Sequence, residues 1–178
     1  MNKTGRISLL FLTLLSLAFA CTDANAYVAG RFVKRNANGG ISAGSLHGAA
    51  GPNGGAILRR RGVTSDGQGN VKAGSRAVWK TPAGGTGARA GKTTRSADGT
   101  VQHASGFEAS GPKGSASSSG SFTKNPDGTV TENRSTTVTN TATGASYQGS
   151  TSYSKDNGLV HSGTCTDASG NTIACPGR

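Results

Sequence analysis

The sequence has few of the residues from which an ordinary protein core is built. Aromatic residues make up 5% of its 178 residues and all hydrophobic residues 33%, while glycine alone occurs 29 times. A chain so poor in large apolar side chains buries too little surface to offset the conformational entropy of folding in the usual way. The composition argues against a conventional two-layer enzyme domain. It leaves a chain that is either substantially disordered or ordered by backbone pairing and self-association.

Residues that carry out catalysis are also sparse. The eight acidic residues and three histidines are scattered, and no serine or cysteine lies beside a base in a nucleophile context. The segment ending in Gly91-Lys92-Thr93 fails as a phosphate-binding loop, because Thr86 stands where that loop requires its first glycine. We therefore expect no enzyme, no catalytic residue, no cofactor, no metal and no small-molecule substrate.

The one long apolar run lies at the start of the chain. Lys3 and Arg6 precede the run Ile7–Ala20, which is shorter than the roughly 20 residues that span a membrane. This pattern predicts a signal peptide over 1–26, cut after Ala26 or, alternatively, after Ala20. Cys21 could instead be lipidated as in a bacterial lipoprotein, although Ala18 stands where such signals usually have leucine. We expect an exported protein, periplasmic, cell-surface or extracellular, with no transmembrane segment in the mature chain.

Two cysteines remain after cleavage, Cys165 and Cys175. An even pair in an exported chain is most simply a disulfide. The nine residues between them have turn-forming Ser169, Gly170 and Asn171 near their centre, so a hairpin there would bring the two cysteines together. A metal site is disfavoured, because two ligands do not complete a tetrahedron.

Positive charge is concentrated in one half of the chain. Residues 27–100 contain twelve Lys and Arg against Asp66 and Asp98, whereas residues 101–178 contain five of each sign. The basic half is a candidate surface for a polyanion such as nucleic acid, anionic polysaccharide or lipopolysaccharide, and its charge would equally keep a glycine-rich chain soluble. The candidate binding residues are Arg59, Arg60, Arg61, Lys72, Arg76, Lys80, Arg89, Lys92 and Arg95.

Turn signals recur through the chain at spacings of 13 to 16 residues. One type is centred on Gly and Pro, as in 51–54, 81–85, 111–114 and 142–144; the other has Asp or Asn with Gly before an aliphatic residue or Thr, as in 66–71, 98–101, 127–130, 156–159 and 169–173. Asn, Asp and Gly provide the positive φ angles of tight hairpins. The two types alternate, so a unit of two strands and two turns repeats about every 30 residues.

The segments between turns have strand character. In Val71–Lys80, small and apolar residues alternate with Lys72, Arg76 and Lys80. Most segments also have a glycine near the middle, which would form a stripe across a sheet. We predict an all-β fold, an antiparallel β-meander or β-solenoid-like sheet made of arms of about 15 residues, over 51–178. The less regular residues 27–50 are expected to be a flexible basic lead-in.

Together these patterns predict an exported, non-enzymatic structural or interaction protein that self-associates at the cell surface or in the matrix. The alternative is a periplasmic or secreted polyanion-binding module that uses the basic half.

Overall fold

The chain forms one antiparallel β-sheet. The structure is a computed structural model that describes residues 25–175. Its strands are β1 (Ala26–Arg35), β2 (Ile41–Ala50), β3 (Ala56–Ser65), β4 (Val71–Lys80), β5 (Thr86–Arg95), β6 (Val101–Gly111), β7 (Gly114–Lys124), β8 (Val130–Asn140), β9 (Ser146–Ser154), β10 (Gly158–Thr166) and β11 (Thr172–Ile173). They lie side by side in chain order. The predicted all-β meander is confirmed, and the described residues contain no helix.

All nine predicted turns connect neighbouring strands. A tenth turn, Asn36–Gly40, was missed. The prediction of a flexible lead-in over 27–50 was wrong, because these residues form β1 and β2, which pair along their whole length from Ala26 opposite Ala50 to Arg35 opposite Ile41. The Ala- and Gly-rich composition of β2 hides its alternation, but Asn38-Gly39 is a turn signal of the kind found elsewhere in the chain.

The turns follow from local chemistry, as residues 96–100 illustrate. Ser96 N–H donates to the carbonyl of Thr100 at 2.9 Å, and Gly99 N–H donates to the carbonyl of Ser96 at 3.0 Å. Gly99 has a φ of 91°, which closes a three-residue hairpin loop and is strained for residues with a side chain. The Asp98 carboxylate accepts from Thr100 N–H at 2.8 Å. The Asp-Gly pair therefore sets the length of the loop and, through it, the register of β5 against β6.

Glycines within the strands make room for rings from the neighbouring strand. Trp79 lies over Gly87, and a Cβ built on Gly44 would meet Cε1 of Phe32 at 2.5 Å. The central glycines do not form one stripe, because pairing places Gly62, Gly74 and Gly106 on one side of the sheet and Gly91, Gly120, Gly149 and Gly163 on the other. Where an aromatic ring lies over a glycine, one side of the ring packs against the backbone of the neighbouring strand, although the sheet as a whole is exposed.

The sheet has no hydrophobic core of the ordinary kind. Among the described residues, the buried hydrophobic side chains are Ala77 and Cys165 alone. Residues 25–175 contain no second layer that covers either side of the sheet. Both faces of a single layer therefore remain open to solvent.

Candidate interaction surfaces

Register and alternation divide the side chains between two faces. The face that we call the aromatic face carries Tyr27, Trp79, Phe107, Phe122, Tyr147 and Tyr153 and the histidines His47, His103 and His161. Trp79 stacks on Phe107 with ring centroids 6.0 Å apart, and His103 stacks on Phe122 at 5.6 Å. The opposite side is called the second face.

The nine predicted polyanion-binding residues do not form one patch. Arg59, Arg61, Arg89 and Arg95 lie on the aromatic face, whereas Arg60, Lys72, Arg76, Lys80 and Lys92 lie on the second face. The triplet Arg59-Arg60-Arg61 is split because successive strand residues point to opposite sides. The structure thus replaces one basic patch with two.

The basic patch on the second face contains a cross-strand pair of like charges. Arg60 of β3 lies directly opposite Arg76 of β4. On strands β1 to β6 the one acidic residue is Glu108 of β6, which lies on the same face. A positive surface is therefore present on the second face of β3 to β5.

The second face changes character across β7 to β10. Apart from Gly158 and Val160, its residues there are all uncharged and polar: Ser115, Ser117, Ser119, Ser121, Thr123, Thr131, Asn133, Ser135, Thr137, Thr139, Ser146, Gln148, Ser150, Ser152, Ser154, Ser162, Thr164 and Thr166. Neighbouring hydroxyls bond across strands, as in Ser119 to Ser135 at 3.0 Å and Ser150 to Ser162 at 2.7 Å. This half presents hydroxyl groups without charge.

Each histidine has a hydroxyl neighbour on an adjacent strand. Thr93 Oγ1 is 2.8 Å from Nδ1 of His103, and Thr151 Oγ1 is 2.8 Å from Nδ1 of His161. Tyr27 Oη lies 3.3 Å from Nδ1 of His47. Within residues 25–175, no group of three or more His, Cys, Asp or Glu could hold a metal ion. The histidine contacts link strands of the sheet to one another.

Three turn aspartates are held in their ionised form by hydrogen bonds. The pKa of Asp66 is lowered by the side-chain amide of Asn70, and that of Asp167 by the side-chain amide of Asn171. The pKa of Asp127 is lowered by the hydroxyl and the backbone N–H of Thr129. Because a carboxylate accepts these bonds better than a neutral acid does, ionisation and turn formation support each other.

The predicted disulfide is confirmed. Cys165 of β10 is bonded to Cys175, with their Cα atoms 5.3 Å apart. The bridge closes the hairpin in which β11 pairs with Cys165 and Thr166. A disulfide is compatible with an oxidising, exported compartment. No helix in the part of the chain that the structure describes is long and apolar enough to cross a membrane. The predicted signal peptide, except for residues 25 and 26, and the lipidation candidate Cys21 lie outside the described residues.

The two edges of the sheet are a feature that the sequence pattern did not reveal. Among the described residues, the six most exposed large hydrophobic residues are Val33 (77%), Leu159 (72%), Tyr27 (69%), Phe32 (51%), Val160 (50%) and Val28 (48%). All six lie on β1 or β10. The available signal was the continuous strand-forming pattern of Tyr27–Arg35, which we assigned to a flexible segment.

Comparison with known proteins gives no relative from which a role could be transferred: no family model, no curated protein and no solved structure matches this chain.

Proposed function

We propose that this chain is an exported, non-enzymatic structural or interaction protein that assembles with further copies of itself, at the cell surface or in the extracellular matrix. The observation that carries the proposal is that Ala77 and Cys165 are the only buried hydrophobic side chains of residues 25–175. Domains normally bury the apolar side of a sheet against a second layer. Association with other copies would supply the burial that one copy lacks.

The side-chain chemistry suits contact between sheets. The aromatic face offers Phe107 (40% exposed), Val138 (43%) and Tyr153 (39%) to a partner. The second face offers small hydroxyl side chains across β7 to β10, which permit close approach. The basic residues on both faces of β3 to β5 would direct such contacts towards β7 to β10, whose second face is uncharged.

The proposal is tested by the size of the purified protein, with its N-terminus identified by mass spectrometry. Size exclusion and electron microscopy should show particles of many copies in the absence of any polyanion. A single-copy elution volume over the whole accessible concentration range would contradict the proposal.

A second candidate function, polyanion binding, is favoured by the opposition of Arg60 and Arg76. Basic side chains concentrated on one face of a sheet attract a polyanion. Lys72, Lys80 and Lys92 lie on the same face. The ligand would be a linear anion, such as nucleic acid or an anionic polysaccharide, laid across β3 to β5.

Salt dependence tests this second function. Affinity for a heparin column or for single-stranded DNA should fall steeply as salt is raised, since binding releases condensed counterions. Affinity that is weak at low salt, or unaffected by salt, would contradict it.

A further inference from the structure

Within residues 25–175, the sheet has two strand edges that lack a neighbouring strand over most of their length. Strands β2 to β9 each pair with a neighbour on both sides. β1 pairs with β2 alone. β10 pairs with β9 on one side, while on its other side β11 covers only Cys165 and Thr166. The outer side of β1 and the segment Gly158–Thr164 of β10 are thus open strand edges, which are templates for another strand.

These two edges are also the most apolar exposed parts of the described chain. Val33, Leu159 and Tyr27 are 77%, 72% and 69% exposed, and no large hydrophobic side chain of the interior strands β2 to β9 exceeds 46%. Soluble proteins usually protect open edges with charge, proline or a covering element. β10 contains no charged residue and no proline. The most exposed large hydrophobic side chains therefore lie on the same two strands, β1 and β10, that have unpaired backbone edges.

Resting on the proposed self-assembly, we propose that β1 of one copy adds in antiparallel orientation to the open edge of β10 of a second copy, joining copies head to tail. The strand count supports this arrangement. β1 to β10 are all of full length and run alternately, so β1 and β10 point in opposite directions. A following copy placed without reversal therefore meets β10 antiparallel and keeps its aromatic face on the same side.

One register of β1 against β10 pairs the exposed apolar side chains of both edges. It places Val33 opposite Leu159 on the aromatic face and Phe32 opposite Val160 on the second face, so four exposed apolar side chains meet in two pairs. Val28–Lys34 then spans Gly158–Thr164. Beyond Thr164 the edge of β10 is occupied by β11, which pairs with Cys165 and Thr166 and is tied down by the Cys165–Cys175 disulfide. β11 acts as an end stop that fixes the register.

Charge favours the pairing of β1 with β10 over the symmetric pairing of β1 with β1. β1 carries Arg31, Lys34 and Arg35, so pairing β1 with β1 would bring six positive charges to one seam. In the head-to-tail register these residues face uncharged β10 and the turn that holds both Lys155 and Asp156. A heterologous contact of this kind forms a ring where the rotation between copies closes and a filament where it does not.

Cysteine cross-linking tests the contact directly. Val33→Cys and Leu159→Cys are made in separate chains, mixed and mildly oxidised, and the joined peptides are identified by mass spectrometry. Directly opposite residues have Cα atoms about 4.5–5.5 Å apart, which is within disulfide reach. Cross-links between positions 33 and 159 should dominate. The matched control, Val138→Cys on interior strand β8, should give none across the edge.

Other results would overturn the inference. Dominant linkage of position 33 to itself would indicate symmetric pairing of β1. Large particles whose cross-links form only through Val138→Cys would indicate face stacking, which refutes the edge contact but leaves self-assembly standing. Particles that never form would refute both. As a second readout, Val33→Lys and Val160→Lys should each reduce the particles to single copies, whereas Val63→Lys, at a 41% exposed position of interior strand β3, should not.

Discussion

The ring of Tyr147 lies across Gly163 on the neighbouring strand, so that a Cβ built on Gly163 would come within 2.7 Å of ring carbon Cε2. The same ring covers Gly149 on its own strand, and its hydroxyl lies 3.3 Å from Nε2 of His161. The Tyr147 ring thus packs against the backbone of two glycines, an arrangement that we call the Tyr147 platform. In a sheet without a second layer, such contacts within one face replace part of a core.

Replacing Gly163 with alanine should therefore destabilise the protein. The methyl group would displace the Tyr147 ring and its contact with His161, at a cost of about 1–2 kcal/mol. Gly106→Ala is the matched control, because a Cβ there would meet nothing closer than Ser118 O at 3.9 Å. Denaturant midpoints measure both. Equal midpoints for the two variants would show that the platform does not contribute.

Stability should fall at acid pH. The pKa values of Asp66, Asp127 and Asp167 are lowered by turn hydrogen bonds. Because each folded-state pKa lies below its unfolded value, their stabilisation is present above the ordinary aspartate pKa, about 3.9. It is lost as pH falls through the folded-state values. Thermal unfolding followed from pH 7 to pH 2 measures the decline.

The control for this prediction is the triple variant Asp66→Asn, Asp127→Asn and Asp167→Asn. Its side-chain carbonyls can still accept the hydrogen bonds from the turn backbone N–H groups but do not titrate. Its acid decline should be shallower than that of the wild-type protein. Identical declines in the two proteins would show that other groups cause the acid sensitivity.

Breaking the disulfide should release the end of the sheet. The variant Cys165→Ser, Cys175→Ser removes a bridge between residues ten apart in sequence, and a loop of that size gives about 3 kcal/mol or less. We expect faster amide exchange at Thr172 and Ile173, with β1 to β9 much less affected. Hydrogen exchange read by mass spectrometry compares the two proteins. Unchanged protection of β11 would contradict this account of its anchoring.

The two faces should respond differently if a polyanion binds. Arg60→Gln changes the second face, while Arg59→Gln with Arg61→Gln changes the aromatic face. If the ligand lies against the opposed pair Arg60 and Arg76, the single variant should lower the heparin elution salt more than the double variant does. The reverse order would assign binding to the aromatic face, and equal loss per charge would indicate nonspecific attraction.

Several features could be predicted from the sequence because they are local. The Asp-Gly turns, such as Asp98-Gly99, and the Cys165–Cys175 pair depend on residues close in sequence, and both predictions are confirmed. The strand lengths then follow from the turn spacing. Asn38-Gly39 provides the same kind of signal, but it was overlooked beside the irregular residues of β2.

Features that depend on register could not be predicted. Whether Arg60 faces Arg76 or Ser75 is decided by a one-residue shift in pairing, which no single strand specifies. The same holds for the Tyr147 platform, since Gly163 lies on the next strand. The open edges at Val33 and Leu159 became visible only with the strand order.

The central claim, that one copy of this sheet is completed by others, is tested most directly by dilution. Particle mass by light scattering and strand content by far-ultraviolet circular dichroism are measured on the same dilution series. Because association and folding are linked, we predict that mass falls towards one chain and that the strand signal weakens with it. A protein that keeps the mass of one chain and its full strand signal at every concentration would contradict the account.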